Sequence, residues 1–502
     1  MASTSKDPSK DILEEKKPLL PQPGASTSKN GPQPPPGKKN SSLYRQLFLG
    51  VIVALPSVPF GMSLGFSAIA LDELSFTVDE ASWFASVTAM AYPFGAIAVG
   101  PLMDKYGRRP ALLSINLVSF FGWLLLSVNT NSPTIFKLIT GRILTGIAGG
   151  LASVPATVYA AECLSSSDVA SRSALVTWST VALSAGICLV YTTGSYLAYY
   201  AVASIATLIS VVSFVLVAIF LPESPVWYSM RGRHGDAEWS LREIDINPPP
   251  APPEQPSEVE DNRQNDPPTV TPPPETFKEL LKPEAYKPLL IMTGFFFFQQ
   301  FSGVFVIIAY MVDIIRAAGV ITVNPYFVTI LAGSLIFVVS LIASLVYPKT
   351  GVRLIAIFSG LGTTATMLFI GIFLSLRSYW VNSTQLYFLN WIPVFSILSG
   401  IGVSAVGFLI LPWSMLGEVF PNNVKGFAAG IATCLGFTFS FIAAKIYPSI
   451  QLGLGVEGVF FFFALMALLG TIFVIMFLPE TRGKTFEEIL HEFSGPKNKT
   501  KK

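Results

Sequence analysis

Apolar residues in this chain fall into twelve runs separated by short polar stretches, at 45–71, 82–103, 111–128, 134–161, 170–192, 196–221, 286–312, 325–347, 353–375, 386–416, 427–448 and 457–478. A helix rises about 1.5 Å per residue, so each run is long enough to cross a hydrocarbon core roughly 30 Å thick. The pattern predicts an all-α membrane protein of twelve transmembrane helices in two six-helix halves, 44–222 and 286–479. Outside the runs, residues 1–43 are rich in Pro, Ser and Lys and are expected to be a disordered cytoplasmic tail. Residues 223–285 hold "NPPPAPPEQPSEVEDNRQNDPPTVTPPPE", too proline-rich for a helix and too polar for a core, and read as a cytoplasmic linker between the halves. Short helices are expected at its two ends, in "DAEWSLREI" and "TFKELL", and 480–502 forms a second cytoplasmic tail.

Composition agrees with the pattern: 51% of residues are hydrophobic, 13% are charged, and mean hydropathy is +0.56. A net charge of +2 without a basic stripe argues against nucleic acid as a partner, and the lipid bilayer is the expected surroundings. The bases gather at Lys105, Arg108 and Arg109, at Arg231 and Arg233, at Lys349 and Arg353, at Lys425 and in both tails, whereas "LDELSFTVDEAS" carries only acids. The positive-inside rule therefore places both termini in the cytoplasm. No early apolar core precedes the first run, so no cleaved signal peptide is expected. Cys163, Cys188 and Cys434 have neither metal-ligand spacing nor a disulfide framework and read as packing residues. His234 and His491 lie in the cytoplasmic segments, away from any nucleophile in the runs, so neither an enzyme nor a bound cofactor or metal is expected.

The halves repeat one another. "LPESPVW" closes the first and "LPETRGK" the second; "YAAE" ends at Glu162 and "MLGE" at Glu418; "DKYGRRP" is matched by the weaker "PKTGVRL". Duplicated six-helix units are how many transporters are built. Taken in order, "DKYGRRP", "GRILTGIAGG", "PESPVW", "QQFSG", "PW" and "PETRGKTFEEI" resemble the sugar porter family of the major facilitator superfamily across residues 45–490. Within it, "GMSLGFSAIAL" and "EASWFASV" are most similar to the insect facilitated trehalose transporters and their paralogues. The resemblance implies the superfamily's helical fold and alternating-access passage of a sugar, trehalose or a hexose, through a cavity at mid-membrane, by a chain that works as a monomer.

A sugar offers hydroxyls around a ring and faces of C–H. Gln299 and Gln300 supply amides that both donate and accept, although interhelical bonding is an open alternative for either. Trp413, after the donor-less Pro412, is the aromatic candidate, and in the family this tryptophan lies under the substrate. Other positions depart from the family: Phe305 and Ile336 stand where asparagines are usual, Gly436 and Phe437 where an Asn–Trp pair is usual, and the fifth-helix glutamine falls on Thr180. The resemblance also implies a charge network at the cytoplasmic ends, comprising Asp104, Arg108, Arg109, Arg142, Glu162 and Arg172, and in the second half Arg353, Glu418 and Lys425. Arg172 follows Glu162 after an insertion, and Pro348 and Val352 replace members of the second network.

Proton-coupled members carry an aspartate two residues after the second glycine of the first-helix motif. Here "GMSLGFS" puts Ser67 there, so a uniporter is expected. With so few of the family's polar groups retained, a non-transporting sugar sensor or receptor and a carrier of a less polar solute stay open. In the first tail, Glu15, Leu19 and Leu20 fit an acidic dileucine signal of the kind clathrin adaptors read, which adds an endolysosomal pool to the expected plasma-membrane location. Asn382, in "NST", is a glycosylation sequon on the expected outer side.

Overall fold

The computed structural model describes residues 36–128, 134–163, 169–244, 280–320, 323–346, 351–380, 391–416, 419–421 and 424–478. By compactness the chain divides into Met1–Leu43, of which only the start of the first helix is described, and Tyr44–Lys502, which holds the bundle. In order the helices are α1 (Pro36–Ala54), α2 (Ser57–Glu73), α3 (Val78–Tyr106), α4 (Arg108–Ser127), α5 (Ile135–Leu151), α6 (Pro155–Cys163), α7 (Val169–Gly194) and α8 (Tyr199–Phe220). Two short helices follow, α9 (Pro225–Met230) and α10 (His234–Glu243), and then α11 (Pro283–Phe301), α12 (Val304–Ala309), α13 (Met311–Ala317) and α14 (Pro325–Val346). The last four are α15 (Val352–Trp380), α16 (Trp391–Val406), α17 (Leu411–Met415) and α18 (Lys425–Phe477).

Among the described residues each of the twelve apolar runs falls mainly on helix, and no strand occurs. Nine stretches among the described residues are long and apolar enough to cross a membrane, and the last, Gly426–Phe477, is two arms folded back at Gly455. The fifth run is α7, and the seventh is α11–α13, broken at Ser302–Gly303 and again at Tyr310. The expected helix in "DAEWSLREI" is α10; the start of "TFKELL" lies outside the described residues. Leu208, Ile219, Phe358 and Phe395 leave most of their surface uncovered, as side chains facing lipid do.

In the first half α3 packs on α5, α4 on α8 and α2 on α7. The seams are narrow because small residues meet backbone to backbone. A Cβ added at Gly61 would lie 1.9 Å from the Leu183 carbonyl oxygen, and one at Gly186 would lie 2.1 Å from that of Val58, so α2 and α7 cross in direct contact. The halves meet along α3 with the first arm of α18 and along α7 with α14. These are second span on eleventh and fifth on eighth, two contacts that the repeat exchanges.

One end of the bundle carries "LDELSFTVDEAS" between α2 and α3 and is called the acidic end; the other carries "DKYGRRP" between α3 and α4 and is the basic end. A reciprocal capping box starts α3 at the acidic end, with the Glu80 N–H donating to Thr77 Oγ1 and the Thr77 N–H to Glu80 Oε2.

Candidate functional site

The two glutamines of "FFFFQQFSG" are both buried, each 1% exposed, yet they do different things. Pro412 has no N–H, so the Phe408 carbonyl four residues earlier lacks its helical donor. Gln299 Nε2 donates to that carbonyl at 2.8 Å and to the Leu409 carbonyl at 2.8 Å. Gln299 therefore ties the seventh span to the break in the tenth, which is the interhelical role. Among the described residues Gln300 Nε2 reaches only Gln299 Oε1, at 3.5 Å, and Gln300 Oε1 has no partner. A buried carbonyl with nothing to accept is the better candidate for a ligand hydroxyl. Gln299→Leu should strand two buried carbonyls, at ~1–3 kcal/mol each, and lower folded protein and uptake together. Gln300→Ala should reduce uptake at least several-fold per folded molecule; equal uptake in matched amounts of wild type and Gln300→Ala would exclude it.

Trp413 is half-buried between two rings, Phe296 at 4.8 Å and Phe437 at 4.9 Å between centroids, and Phe437 lies 4.5 Å from Tyr92 on α3. Phe437 thus covers one face of the tryptophan and bridges the halves. Thr180 is half-buried on α7. A cavity of about 30 Å³ lies between the halves, lined by Ser63, Thr88, Tyr92, Arg142, Phe305 and Ser440 among others; neither glutamine, Trp413 nor Thr180 reaches it. At that size it has room for one or two waters and none for a sugar.

At the basic end the motifs converge. Arg108 grips Glu162 through Nε at 2.9 Å and Nη2 at 2.7 Å, and Ser224 Oγ adds a bond to the same carboxylate. Glu223 caps α4, accepting the N–H groups of Arg108 at 2.8 Å and Arg109 at 3.1 Å, where carboxylate charge and helix dipole agree. A Cβ at Gly107, whose φ is +105°, would fall 2.3 Å from Glu223 Oε2, so the glycine of "DKYGRRP" makes room for the glutamate of "PESPVW". Burial pushes the Glu223 carboxyl above the ordinary glutamate value, against the pull of those N–H bonds. The Asp104 carboxylate is exposed, while its backbone carbonyl takes bonds from Trp227 and Arg231. The Arg109 side chain bonds the Ala218 carbonyl, and Arg353 the Ile475 carbonyl near the end of α18. The side chains of Arg172 and Lys425 and the whole of Glu418 lie outside the described residues, as do Glu15, Leu19, Leu20 and Asn382.

Arg142 corrects an expectation. It begins the third turn of α5, twenty residues before Glu162, so about 30 Å of helix rise separates it from the basic-end network. Its guanidinium is buried at 1% exposure and donates to the Ser63 carbonyl at 2.8 Å, to Ser67 Oγ at 2.7 Å and to the Phe84 carbonyl at 3.3 Å. The position that holds an aspartate in proton-coupled members thus meets this arginine with a hydroxyl.

Sequence reasoning missed the acidic-end clamp. Asp72, closing α2, pairs with Arg316 of α13, through Nη2 at 2.8 Å, and accepts the Tyr326 hydroxyl of α14. Lys445 of α18 reaches Asp79 Oδ1 at 2.9 Å and Ser82 Oγ at 2.7 Å and covers the Trp83 ring at 4.2 Å. A lone lysine in the apolar run "SFIAAKIYP" was the available signal.

Comparison with known proteins places this architecture. Residues 40–493 match the family model described as "Sugar (and other) transporter". The facilitated trehalose transporter Tret1 of Apis mellifera ligustica is 29% identical, covering 91% of this chain and 89% of that protein. Its counterpart in Polypedilum vanderplanki is 30% identical, covering 90% and 89%. Among solved structures, the xylose transporter XylE from E. coli in a partially occluded inward-open conformation superposes with a TM-score of 0.68 at 20% identity, over 88% of this chain and 100% of that one. A crystal structure of the D-xylose-proton symporter gives 0.66 at 18% identity, over 88% and 99%.

Proposed function

Because the chain belongs to the sugar (and other) transporter family, we propose that it is a facilitative carrier of a sugar, trehalose or a hexose, working by alternating access as a monomer. The observation that carries uniport is the Arg142–Ser67 contact. A hydroxyl does not titrate in the physiological range, so this place in the first half offers no carboxyl to take up and release a proton. In proteoliposomes the substrate should equilibrate without being concentrated, with or without an inward proton gradient. Accumulation above the outside concentration, abolished by an uncoupler, would overturn uniport while leaving sugar transport intact.

The placement of Lys and Arg supports a basic end, and both termini, on the cytoplasmic side of the plasma membrane. The acidic clamp then closes the path to the outside, and the Arg108–Glu162 pair belongs to the inner ends of the first half. Glu15, Leu19 and Leu20 support an endolysosomal pool reached through clathrin adaptors, and Asn382 supports a glycan on the outer face. Phe437 favours a second reading: a ring covering Trp413 where the family has polar capacity suits a non-transporting sensor or a carrier of a less polar solute. Radiolabelled uptake of trehalose, glucose and fructose in a transporter-null host separates the readings, since a sensor moves none of them.

A further inference from the structure

Arg142 is a cation deep in an apolar bundle, and the groups that hold it are neutral. Its hydrogen-bond partners are the Ser63 and Phe84 carbonyls and the Ser63 and Ser67 hydroxyls. The rings of Phe66 and Phe84 flank it at 5.8 and 5.2 Å. Its electrostatic neighbours are the phenols of Tyr92 and Tyr310, and no described carboxylate forms an ion pair with it. A guanidinium keeps its proton, and a buried charge without a counter-charge is held at a penalty of several kcal/mol. Carbonyl and hydroxyl dipoles reduce that penalty and leave the positive charge in place.

Beside this cation is the cavity of about 30 Å³, whose polar lining is Arg142, Ser63, Thr88, Tyr92 and Ser440; of these the Ser63 hydroxyl already donates to Thr145 Oγ1. Thr88 Oγ1, in a residue 2% exposed, has no hydrogen-bond partner among the described residues. An orphan hydroxyl lining the same pocket as an unneutralised guanidinium is arranged for an acceptor that carries negative charge. The volume suits an ion of about the size of a water and excludes a hexose. We infer that this pocket is a binding site for one small monovalent anion, held by Arg142 and Thr88 with Tyr92 and Ser440 closing the shell.

The far wall is Phe305, Ile308 and Ala309 of α12 and Ala444 of α18, so the anion sits where the two halves meet. It would hold the halves together in the state clamped at the acidic end. The site does not depend on which solute the carrier moves. Two sources share its chemistry, an inorganic halide and the carboxylate of a very small organic acid.

The test is thermal unfolding of the purified full-length protein at constant ionic strength, with chloride or formate replacing gluconate, which is too large for the pocket. Chloride should raise the midpoint and saturate, as expected for an ion that binds only the folded state. A saturable rise with formate and none with chloride would assign the site to organic acids. Thr88→Val keeps the shape and removes the hydroxyl; its midpoint in gluconate should match wild type while the anion concentration for half-maximal stabilisation rises several-fold. Arg142→Gln should abolish the response. Coincident curves in all three salts, or an identical response in wild type and Thr88→Val, would overturn the proposal whether or not Arg142→Gln folds.

Discussion

Gly186→Val should yield almost no folded protein. A Cβ there meets the Val58 carbonyl oxygen at 2.1 Å and the Met62 backbone nitrogen at 2.9 Å, and the reciprocal Cβ at Gly61 meets the Leu183 carbonyl at 1.9 Å. Backbone atoms of a helix cannot rotate aside as a side-chain tip can, so α2 and α7 would have to separate along their length. Overpacking of ordinary cores loses ~1–3 kcal/mol, and parting two whole helices loses more from a total stability of roughly 5–15 kcal/mol. Gly430→Val makes the same change on α18 where nothing lies within 4 Å of the added carbon, and it should behave as wild type. Size-exclusion profiles of fluorescently tagged variants decide the matter: a monodisperse Gly186→Val peak at wild-type height would mean the crossing is looser than described.

Reversing one charge of the acidic-end clamp should open it, and reversing both should close it again. Asp72→Arg places like charges beside Arg316 and removes the acceptor of the Tyr326 hydroxyl; Arg316→Asp places like charges beside Asp72 and leaves that acceptor in place. Arg316 is half exposed, so solvent screens the pair and the swing is modest, ~1–2 kcal/mol, or roughly a five- to thirty-fold change between the two states. The readout is labelling by an impermeant thiol reagent of a cysteine placed at Ser440, in a background with Cys163, Cys188 and Cys434 replaced. Faster labelling in each single variant, and labelling brought back toward the wild-type rate in the double swap, which still lacks the Tyr326 acceptor, is the expected pattern. Unchanged labelling in both single variants would show that the pair is incidental to closure.

Most of the fold was legible because lipid enforces a simple rule: every spanning backbone closes its own hydrogen bonds, so the apolar runs, where described, are helical. The motifs "PESPVW" and "DKYGRRP" were legible as signatures, but not that they touch; the Glu223 carboxylate over Gly107 explains why those residues go together. The site was less legible. Arg142 was grouped by resemblance with cytoplasmic charges, and only the direction of α5 puts it beside Ser67. The Gln299–Gln300 pair looked equivalent because adjacent amides have identical chemistry. What separates them is Pro412, more than a hundred residues later, whose missing N–H claims Gln299 for Phe408 and leaves Gln300 an acceptor to spare. Lys445 and Asp79 were visible as single charges, but nothing local pairs residues so far apart.

Gln299 also changes how many ways the second half can bend. The seventh span has a break at Gly303, with φ +92°, and the tenth has one in the turn between α16 and α17. Left alone, these would be two independent joints. The amide bolts the residue four positions before the first joint onto the carbonyls of the second, so the two helices share one degree of freedom. Backbone amides of 304–310 and of 407–411 should therefore open together in hydrogen–deuterium exchange, at one rate and with one temperature dependence. Gln299→Leu should split them into two rates, turning a single lever into two that no longer keep time.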